Sequence, residues 1–382
     1  MNKFFIEIII ISLLFFNCNN KHKENIKDEV KIIKLNFNDV KIDSVSNYFS
    51  DYKIIPLETN ENSLIKRIDR LIIHENKIYI LDQDLKSIFM FNENGIYINK
   101  IFNVGKGPGE YVQLRDFTIT DDSHIVLHSS SPYKLIFYDM NGKYIFEKKI
   151  NNHYYNISYA ESNYIFYDMI PNKLNNFKLL IKNKNSNSFD KYLESKLETT
   201  ISYTFSHKHL LKSTRLFFNE GFQNTIYTYA NNKIIPYYYI SCGDNNLSKY
   251  YLNKIYNTKL NNISKIVWEL RDQNICFSIT EFREYKDFIS FKLNNYYTII
   301  YSKINHQANF IKLLIDDLTG LPVKYYAHDG KDNIFLSILS ARLFKSISSG
   351  RKKKDKYMEF DVMKNIGQEL ESWHNPILIF YE

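Results

Sequence analysis

The side chains best placed for chemistry follow the most glycine-rich stretch of the chain. Residues 105–109 contain three glycines and a proline, which predicts a tight turn with positive φ that ends one strand and begins another. Glu110, Arg115 and Asp116 come soon after it. If the turn joins two units of a repeated fold, these side chains lie in a loop at the rim of that fold, where a rigid scaffold can present residues to a ligand. We therefore predict a binding site at these three residues; the alternative is that Arg115 and Asp116 pair with each other or cap turns.

Other chemically suggestive patterns are too incomplete to predict a reaction. His207 and His209 would lie on one face of a strand, but a zinc site needs at least three protein ligands and no third is identifiable. The acidic pairs at residues 82–84 and 316–317 lack the twelve-residue loop of an EF-hand and are expected to cap turns. The glycine stretch lacks the spacing and the following helix of a phosphate-binding loop, and no nucleophile elbow or activated cysteine occurs. We predict no metal, no cofactor and no catalytic residue.

A repeat of about 47 residues predicts the elements that position these side chains. Residues 78–81 align with residues 125–128, and residues 87–95 align with residues 134–142 at the same offset. Each segment is a strand pattern or a turn, and the offset matches one four-stranded propeller blade. A single such sheet cannot bury both faces, so the blades must stack around an axis and close into a ring. The 31 Tyr and 28 Phe residues also favour an all-β fold.

Weaker copies of the strand pattern continue to the carboxyl terminus. Three hairpins are predicted within residues 163–181, 225–240 and 288–303, and a further strand near residues 332–336. Residues 377–381 form the last predicted strand. In a closed ring this strand should pair in one blade with an early strand, because the edge of the sheet would otherwise be exposed.

Two segments depart from the strand pattern. Residues 191–197 are charged and lack alternation, which predicts a short helix or a loop. Residues 361–373 have the spacing of one helical stripe, formed by Val362, Ile366, Leu370 and Trp373.

The charge of the chain does not predict a nucleic-acid partner. The formal net charge is +8, but the basic residues are scattered and do not form the stripe that a phosphate backbone needs. The one basic run, residues 351–356, follows Ser-Ser-Gly and is expected to be a solvated loop.

The amino terminus has the pattern of an export signal. Residues 4–16 are almost wholly apolar and are followed by Asn17 and Cys18; the span is shorter than the roughly 20 residues that cross a bilayer, but it suits a secretory signal. A cysteine directly after such a region resembles the lipobox of bacterial lipoproteins, in which cleavage precedes the cysteine and its thiol carries lipid. This predicts a signal peptide at residues 1–17, lipid attachment at Cys18 and a flexible tether at residues 18–40. A plain signal peptide or a short membrane anchor is the alternative.

Cys242 and Cys276 are the other two cysteines, and both lie in strand-like surroundings. An exported protein can oxidise such a pair, yet free cysteine is also a common core residue. We expect two buried thiols, although spacing alone decides neither pairing nor geometry.

An ordered set of short landmarks resembles a known family. The landmarks are residues 56–59, 79–82, 105–111, 116–117, 224–227, 236–238 and 375–378. In this order they resemble the six-bladed β-propeller lipoproteins of Bacteroidota, which are similar to propellers with NHL repeats. The resemblance implies six four-stranded antiparallel blades over residues 41–382, closed by pairing of the amino- and carboxyl-terminal strands. It also implies export and an outer-membrane location, on the periplasmic face or the cell surface.

These observations predict a binding protein. A propeller held to the membrane by lipid would act as a binding module for a glycan, a peptide or a partner protein. Similar propellers mostly bind such ligands and a minority are lyases, so the alternative is an enzyme, such as a lyase, with its site at the mouth of the channel. A third possibility is a structural part of a larger envelope complex.

Overall fold

Six small sheets form a ring around a central channel. The computed structural model describes residues 30–168, 176–183, 188–194, 210–258, 260–330, 333–350 and 360–382. The sheets are mainly antiparallel, and each is one blade of a six-bladed β-propeller. The predicted fold class is therefore confirmed.

The amino-terminal segment adds one strand to each of three blades before the first complete blade begins. These strands are β1 (Lys31–Lys34), β2 (Val40–Ser44) and β3 (Tyr52–Pro56). β1 and β2 lie at the outer edges of blades 4 and 5 and are parallel to their neighbours, whereas β3 pairs antiparallel in blade 6. The tether predicted for residues 18–40 is wrong from residue 31 onward, because β1 belongs to the ring.

Asp43 holds together the end of β2 and the turn that follows it. It accepts hydrogen bonds from the Ser44 amide at 2.9 Å, from Asn47 Nδ2 at 2.6 Å and from the Tyr48 hydroxyl, and it pairs with Lys41 at 2.8 Å. Burial alone would raise the pKa of Asp43, but these contacts outweigh burial and lower the pKa to about 2. Folding of this segment is thus coupled to an ionised carboxylate.

Blades 1 to 3 follow in chain order, and each begins with the strand beside the channel. Blade 1 contains β4 (Arg70–His74), β5 (Lys77–Asp82), β6 (Ser87–Asn92) and β7 (Tyr97–Ile101). Blade 2 contains β8 (Gln113–Ile119), β9 (Ile125–Ser131), β10 (Tyr133–Tyr138) and β11 (Tyr144–Lys149). Blade 3 contains β12 (Asn156–Ala160), β13 (Asn163–Tyr167), β14 (Phe177–Asn183) and β15 (Asp190–Glu194). The 47-residue repeat is confirmed, because its matched segments fall in the second and third strands of blades 1 and 2.

The same turn closes the third strand of both repeated blades. Gly95 and Gly142 have φ values of +80° and +82°, in the left-handed region that favours glycine. The Oδ1 atoms of Asn92 and Asp139 each accept two backbone N–H bonds across their turn, at 2.9 and 3.0 Å for Asn92 and at 2.9 Å for both bonds of Asp139. The matched Asn-Gly dipeptides therefore mark equivalent backbone positions.

Blade 4 is followed by a helical insertion. The blade contains β16 (Leu210–Lys212), β17 (Leu216–Phe218), β18 (Thr225–Ala230) and β19 (Lys233–Ser241), and the insertion contains α1 (Lys249–Tyr256) and α2 (Leu260–Asp272). Ile263, Ile266, Val267 and Leu270 of α2 are buried at the i, i+3, i+4, i+7 spacing of an amphipathic helix.

A disulfide between Cys242 and Cys276 closes the base of this insertion, with the two Cα atoms 6.5 Å apart. The expectation of two separate core thiols is wrong. The helices bring together two positions 34 residues apart in the chain, and the Cys276 amide donates to Asn245 O at 2.8 Å beside the bridge.

The last two blades complete the ring. Blade 5 contains β20 (Ile279–Glu284), β21 (Phe288–Leu293), β22 (Tyr297–Ser302) and β23 (Ala308–Ile315). The remaining elements are β24 (Asp329–Gly330), β25 (Phe335–Leu339), α3 (Ala341–Gly350), α4 (Phe360–Glu369) and β26 (Ile377–Tyr381). β26 pairs with both β25 and β3 in blade 6, which confirms the predicted closure, and β24 pairs parallel with β4 of blade 1.

Several finer predictions need correction. Blades 2 and 3 are four-stranded as expected, whereas blades 1, 4 and 5 have five strands and blade 6 has three in the described part of the chain. The helix or loop predicted at residues 191–197 is wrong for residues 191–194, which are strand and pair with β14; residues 195–197 lie outside the described residues. The helix predicted at residues 361–373 exists as α4 but ends at Glu369. Val362 and Trp373 are 46% and 63% exposed, and Met363 occupies the core with Leu370. The basic run at residues 351–356 lies outside the described residues.

Candidate functional site

The first strands of the blades surround a cavity at one mouth of the channel. β8, β12, β16 and β20 contact one another in sequence around the axis. The ends at which these strands begin enclose about 540 Å³, within the roughly 300–1,000 Å³ typical of small-ligand sites. We call this space the mouth cavity; its polar lining includes Asp69, Gln83, Arg115, Tyr155, Glu281 and Lys292.

A buried ion cluster forms the floor of the mouth cavity. Arg70 lies between two carboxylates: its NH1 atom is 2.9 Å from Asp116 Oδ2, and its NH2 atom is 2.6 Å from Asp329 Oδ2. Arg70 NH1 also donates to Ile157 O at 2.6 Å, and the Ile157 amide donates to Asp116 Oδ2 at 2.8 Å. Burial opposes the charge of Arg70, but the two carboxylates outweigh burial and raise its pKa. The cluster thus joins the first strands of blades 1, 2 and 3 to β24.

The same cluster separates the mouth cavity from a second one. Arg70 and Asp329 also line a cavity of about 480 Å³, which is bounded by the far ends of β4 and β8. Asp329 Oδ1 accepts the Lys212 amide from β16, so blade 4 is tied to the cluster as well. The arrangement positions the first strands of the ring and gives the mouth cavity a polar floor.

Arg115 occupies an irregularity in the first strand of blade 2. Leu114 pairs with Ser129 and Asp116 pairs with His128, so Arg115 is an extra residue in β8. Such bulges redirect a side chain and are common beside functional sites. The Arg115 guanidinium lies over the Tyr155 ring at 4.1 Å, and its Nε atom is buried without a hydrogen-bond partner. The strand geometry therefore directs a cation into the mouth cavity.

A second bulge places an acidic residue on the lining of the same cavity. The β20 register shifts between Thr280 and Arg283, and Glu281 between them has φ +54°. Positive φ is unfavourable for a residue with a side chain and is concentrated at functional sites. Glu281 Oε2 accepts the Ala327 amide at 2.8 Å, which orients its carboxylate.

Glu110 has a different position from Arg115 and Asp116. Its Oε2 atom accepts the Gly107 amide at 2.8 Å, and it fills the space where a Cβ on Gly105 would lie. Gly109 has the predicted positive φ, +74°, and a Cβ there would lie 2.8 Å from the Tyr144 ring. The glycine stretch is thus an inter-blade connection as predicted, and Glu110 shapes this connection and does not line the mouth cavity.

Arg115 and Asp116 do not pair with each other. Both residues line the mouth cavity, but Asp116 is 2% exposed and bound to Arg70, whereas Arg115 contacts Tyr155. Whether Glu110, Arg115 and Asp116 bind a ligand stays a prediction.

The sequence-based prediction of the site did not include four residues of the lining: Asp69, Tyr155, Glu281 and Lys292. The repeat offers a signal for the first of them, because Asp69 stands 47 residues before Asp116. The other three lie on blades whose copies of the repeat are weak, and their convergence depends on ring closure.

The remaining acidic candidates act in turns, as expected. Asp82 accepts the Lys66, Arg67 and Leu85 amides at 2.7, 2.9 and 2.9 Å, and Asp316 accepts the Thr319 amide at 2.8 Å. His207 and His209 lie outside the described residues. Within the described ranges, no group of three or more His, Cys, Asp or Glu side chains could hold a metal ion. No helix among these residues is sufficiently long and apolar to span a membrane.

Fold and site together define a six-bladed β-propeller with a polar, ligand-sized cavity at the mouth of its channel. The chain belongs to the family described as a domain of unknown function, DUF4934, whose sequence profile matches residues 29–382. A search of curated proteins finds no match.

Two solved structures from Bacteroides are similar to this chain. One, from Bacteroides fragilis NCTC 9343, is described as a "Putative exported protein"; it has 18% identity, a TM-score of 0.72, and coverage of 92% of this chain and 99% of that chain. The other is a member of the DUF4221 family from Bacteroides vulgatus ATCC 8482, with 10% identity, a TM-score of 0.44, and coverage of 87% and 96%. At these identities the first likeness shows the fold alone.

Proposed function

We propose that this protein is an exported, lipid-anchored binding module that takes its ligand into the mouth cavity. The observation that carries the proposal is the pair of bulges at Arg115 and Glu281, which direct two charged side chains from opposite parts of the ring to one cavity. A glycan, a peptide or a segment of a partner protein could contact both residues there. The rigid first strands would hold the two groups in place before the ligand binds.

Three observations support the export part of the proposal. Residues 4–16 have the pattern of a secretory signal and Cys18 follows it. The Cys242–Cys276 disulfide is of the kind that persists in oxidising compartments outside the cytoplasm. The similar Bacteroides fragilis protein is also described as exported. An outer-membrane location is the most specific form of this proposal, with Cys18 as the lipid-bearing residue.

The anchor is tested by membrane fractionation and acyl labelling in the native host. The wild-type protein should be labelled by a fatty-acid analogue and remain in the membrane fraction. Cys18→Ser should lose the label and appear in the soluble fraction. Equal labelling of the two proteins would contradict lipid attachment at Cys18.

The binding function is tested on a glycan and peptide array with detergent-solubilised full-length protein. Arg115→Ala should weaken binding to the wild-type ligand, whereas Arg215→Ala should not. Arg215 is a matched control, because its guanidinium also lies over a tyrosine ring, that of Tyr237 at 5.0 Å, but outside the mouth cavity. Equal loss in both variants would contradict the assigned site, and a reaction product that disappears with Arg115→Ala would replace binding with catalysis.

A further inference from the structure

The lining of the mouth cavity holds four basic and four acidic residues, and two of the basic ones have no carboxylate partner in the described part of the chain. Two of its cations are neutralised within the protein: Arg67 NH2 is 2.7 Å from Asp69 Oδ1, and Arg70 contacts two carboxylates. Arg115 and Lys292 line the cavity, but across the described ranges neither forms an ion pair with a carboxylate. These two side chains are therefore the cations that remain for an anionic group of a ligand.

Three of the four acidic groups of the lining, Asp69, Asp116 and Asp329, pair with arginines, and Glu281 is bonded to a backbone amide. Asp69 Oδ2 accepts the Gln83 amide at 2.8 Å in addition to its pair with Arg67, and Glu281 Oε2 accepts the Ala327 amide at 2.8 Å. Arg115 Nε is buried without a hydrogen-bond partner. A buried donor in this state costs free energy unless a ligand or water satisfies it, so an anionic ligand would gain both charge pairing and a hydrogen bond.

The rest of the lining suits a carbohydrate better than an extended peptide. Gln83, Asn156 and Asn295 line the cavity beside Tyr155. Gln83 Nε2 donates to Arg115 O at 2.6 Å and Asn156 Nδ2 donates to Asp116 Oδ2 at 3.2 Å. An amide side chain has several donor and acceptor positions, so these residues can also bond to the hydroxyl groups of a sugar. An extended peptide usually adds to a sheet edge or lies along a groove. The mouth cavity lies at the axis of the ring, where the first strands of neighbouring blades face one another.

We propose that the mouth cavity binds a short oligosaccharide that carries a carboxylate, with Arg115 and Lys292 as the residues that contact this group. The inference rests on the proposed binding function and adds the chemical class of the ligand. The planar guanidinium of Arg115, held against Tyr155, is suited to two parallel hydrogen bonds to a carboxylate. Lys292 would supply a second positive charge from blade 5.

The test is calorimetric titration of detergent-solubilised full-length protein with matched acidic and neutral sugars. The acidic probes are trigalacturonate, trimannuronate and 3′-sialyllactose; the neutral partners are galactotriose, mannotriose and lactose, and a triglutamate peptide tests charge without a sugar. At least one acidic sugar should bind at low salt, with affinity that falls as salt rises. Its neutral partner and triglutamate should bind at least tenfold more weakly.

Two variants and one control assign the binding to the proposed residues. Lys292→Gln and Arg115→Lys should each weaken binding of the acidic sugar roughly tenfold to a hundredfold, as expected for the loss of a charged hydrogen bond. Lys286→Gln removes the same charge from an exposed turn of blade 5 and should leave the affinity unchanged. An equal effect of Lys286→Gln and Lys292→Gln would overturn the assignment.

Failure of this inference can be distinguished from failure of the binding function. Gln83→Trp places a bulky side chain in the mouth cavity. If a neutral sugar binds as tightly as its acidic partner, and Gln83→Trp abolishes the binding of both, the binding function stands and the acidic class of ligand is wrong. Preferred binding of triglutamate likewise overturns the carbohydrate class. Absence of binding to all three acidic sugars overturns the inference, while the array experiment judges the binding function separately.

Discussion

Replacement of Arg70 by methionine should destabilise the propeller strongly at neutral pH. Arg70 is buried and bonded to Asp116 and Asp329, so Arg70→Met leaves two carboxylates in the channel without their counterion. Removal of one partner from a buried ionic cluster typically costs about 3–5 kcal/mol. That is a large part of the roughly 5–15 kcal/mol that separates folded from unfolded domains.

The loss should depend on pH in a direction that follows from the same reasoning. Burial raises the pKa of Asp116 even though Arg70 opposes the shift, so removal of Arg70 should raise the pKa of Asp116 further. A carboxyl group whose pKa is higher in the folded than in the unfolded protein destabilises the fold when it is ionised. This destabilisation disappears as the pH falls through the pKa of the folded state. The difference in unfolding free energy between wild type and Arg70→Met should therefore shrink as the pH is lowered from 7.

Urea unfolding followed by circular dichroism measures both effects. Arg67→Met is the matched control, because Arg67 is also paired with an aspartate but its side chain is 51% exposed. An exposed pair contributes about 1 kcal/mol or less. A loss of less than about 1 kcal/mol for Arg70→Met at pH 7, or a loss equal to that of Arg67→Met, would refute the view that the cluster holds the first strands together.

Three further predictions concern the disulfide, a repeated turn and the amino-terminal segment. The double variant of Cys242→Ser and Cys276→Ser should have a free energy of unfolding about 4 kcal/mol lower than wild type, the chain-entropy value for a closed loop of 34 residues. Dithiothreitol should lower the Tm of the wild type but not that of the variant. Gly95→Ala should lower the free energy of unfolding by more than about 1 kcal/mol, because φ is +80° and the new Cβ would lie 2.4 Å from Pro56 O. The control Gly350→Ala, with nothing within 4 Å of its Cβ, should change it by less than about 1 kcal/mol. Equal losses for the two variants in urea unfolding would contradict the turn assigned to Gly95. The contribution of Asp43 to stability should be complete above about pH 4 and should disappear as pH falls towards 2. The unfolding free energies of wild type and Asp43→Asn, measured against pH, should therefore converge in that window. A constant difference between the two proteins would disprove the coupling.

The repeat could be recognised in the sequence because it falls on buried strands that end in a turn with positive φ. The second and third strands of blades 1 and 2 are almost wholly buried, so their apolar runs are strong, and the Asn-Gly turns need positive φ. The first strands are less visible. β16 has only three residues, and β8 and β12 contain Asp116 and Asn156 because one side of each faces the channel.

The helical insertion and its disulfide show a different limit. The apolar spacing of Ile263, Ile266, Val267 and Leu270 was present in the sequence and would have predicted α2. The pairing of Cys242 with Cys276 could not be predicted in the same way, because it requires both helices to fold back on blade 4.

The mouth cavity was partly predictable. The inter-blade connection directed attention to Arg115 and Asp116, and both residues line the cavity. The roles of Arg70, Tyr155 and Lys292 depend on contacts between blades that are far apart in the chain. Those contacts form only when the ring closes, so no local sequence pattern predicts them.

Hydrogen exchange measured with and without the tightest-binding array ligand tests the central claim most directly. Binding in the mouth cavity should slow amide exchange in the first strands of blades 2 and 5, Gln113–Ile119 and Ile279–Glu284. The outer strands Tyr144–Lys149 and Val40–Ser44 should be unaffected. Protection confined to the outer strands, with unchanged exchange around Arg115 and Glu281, would contradict the claim that the ligand enters the channel.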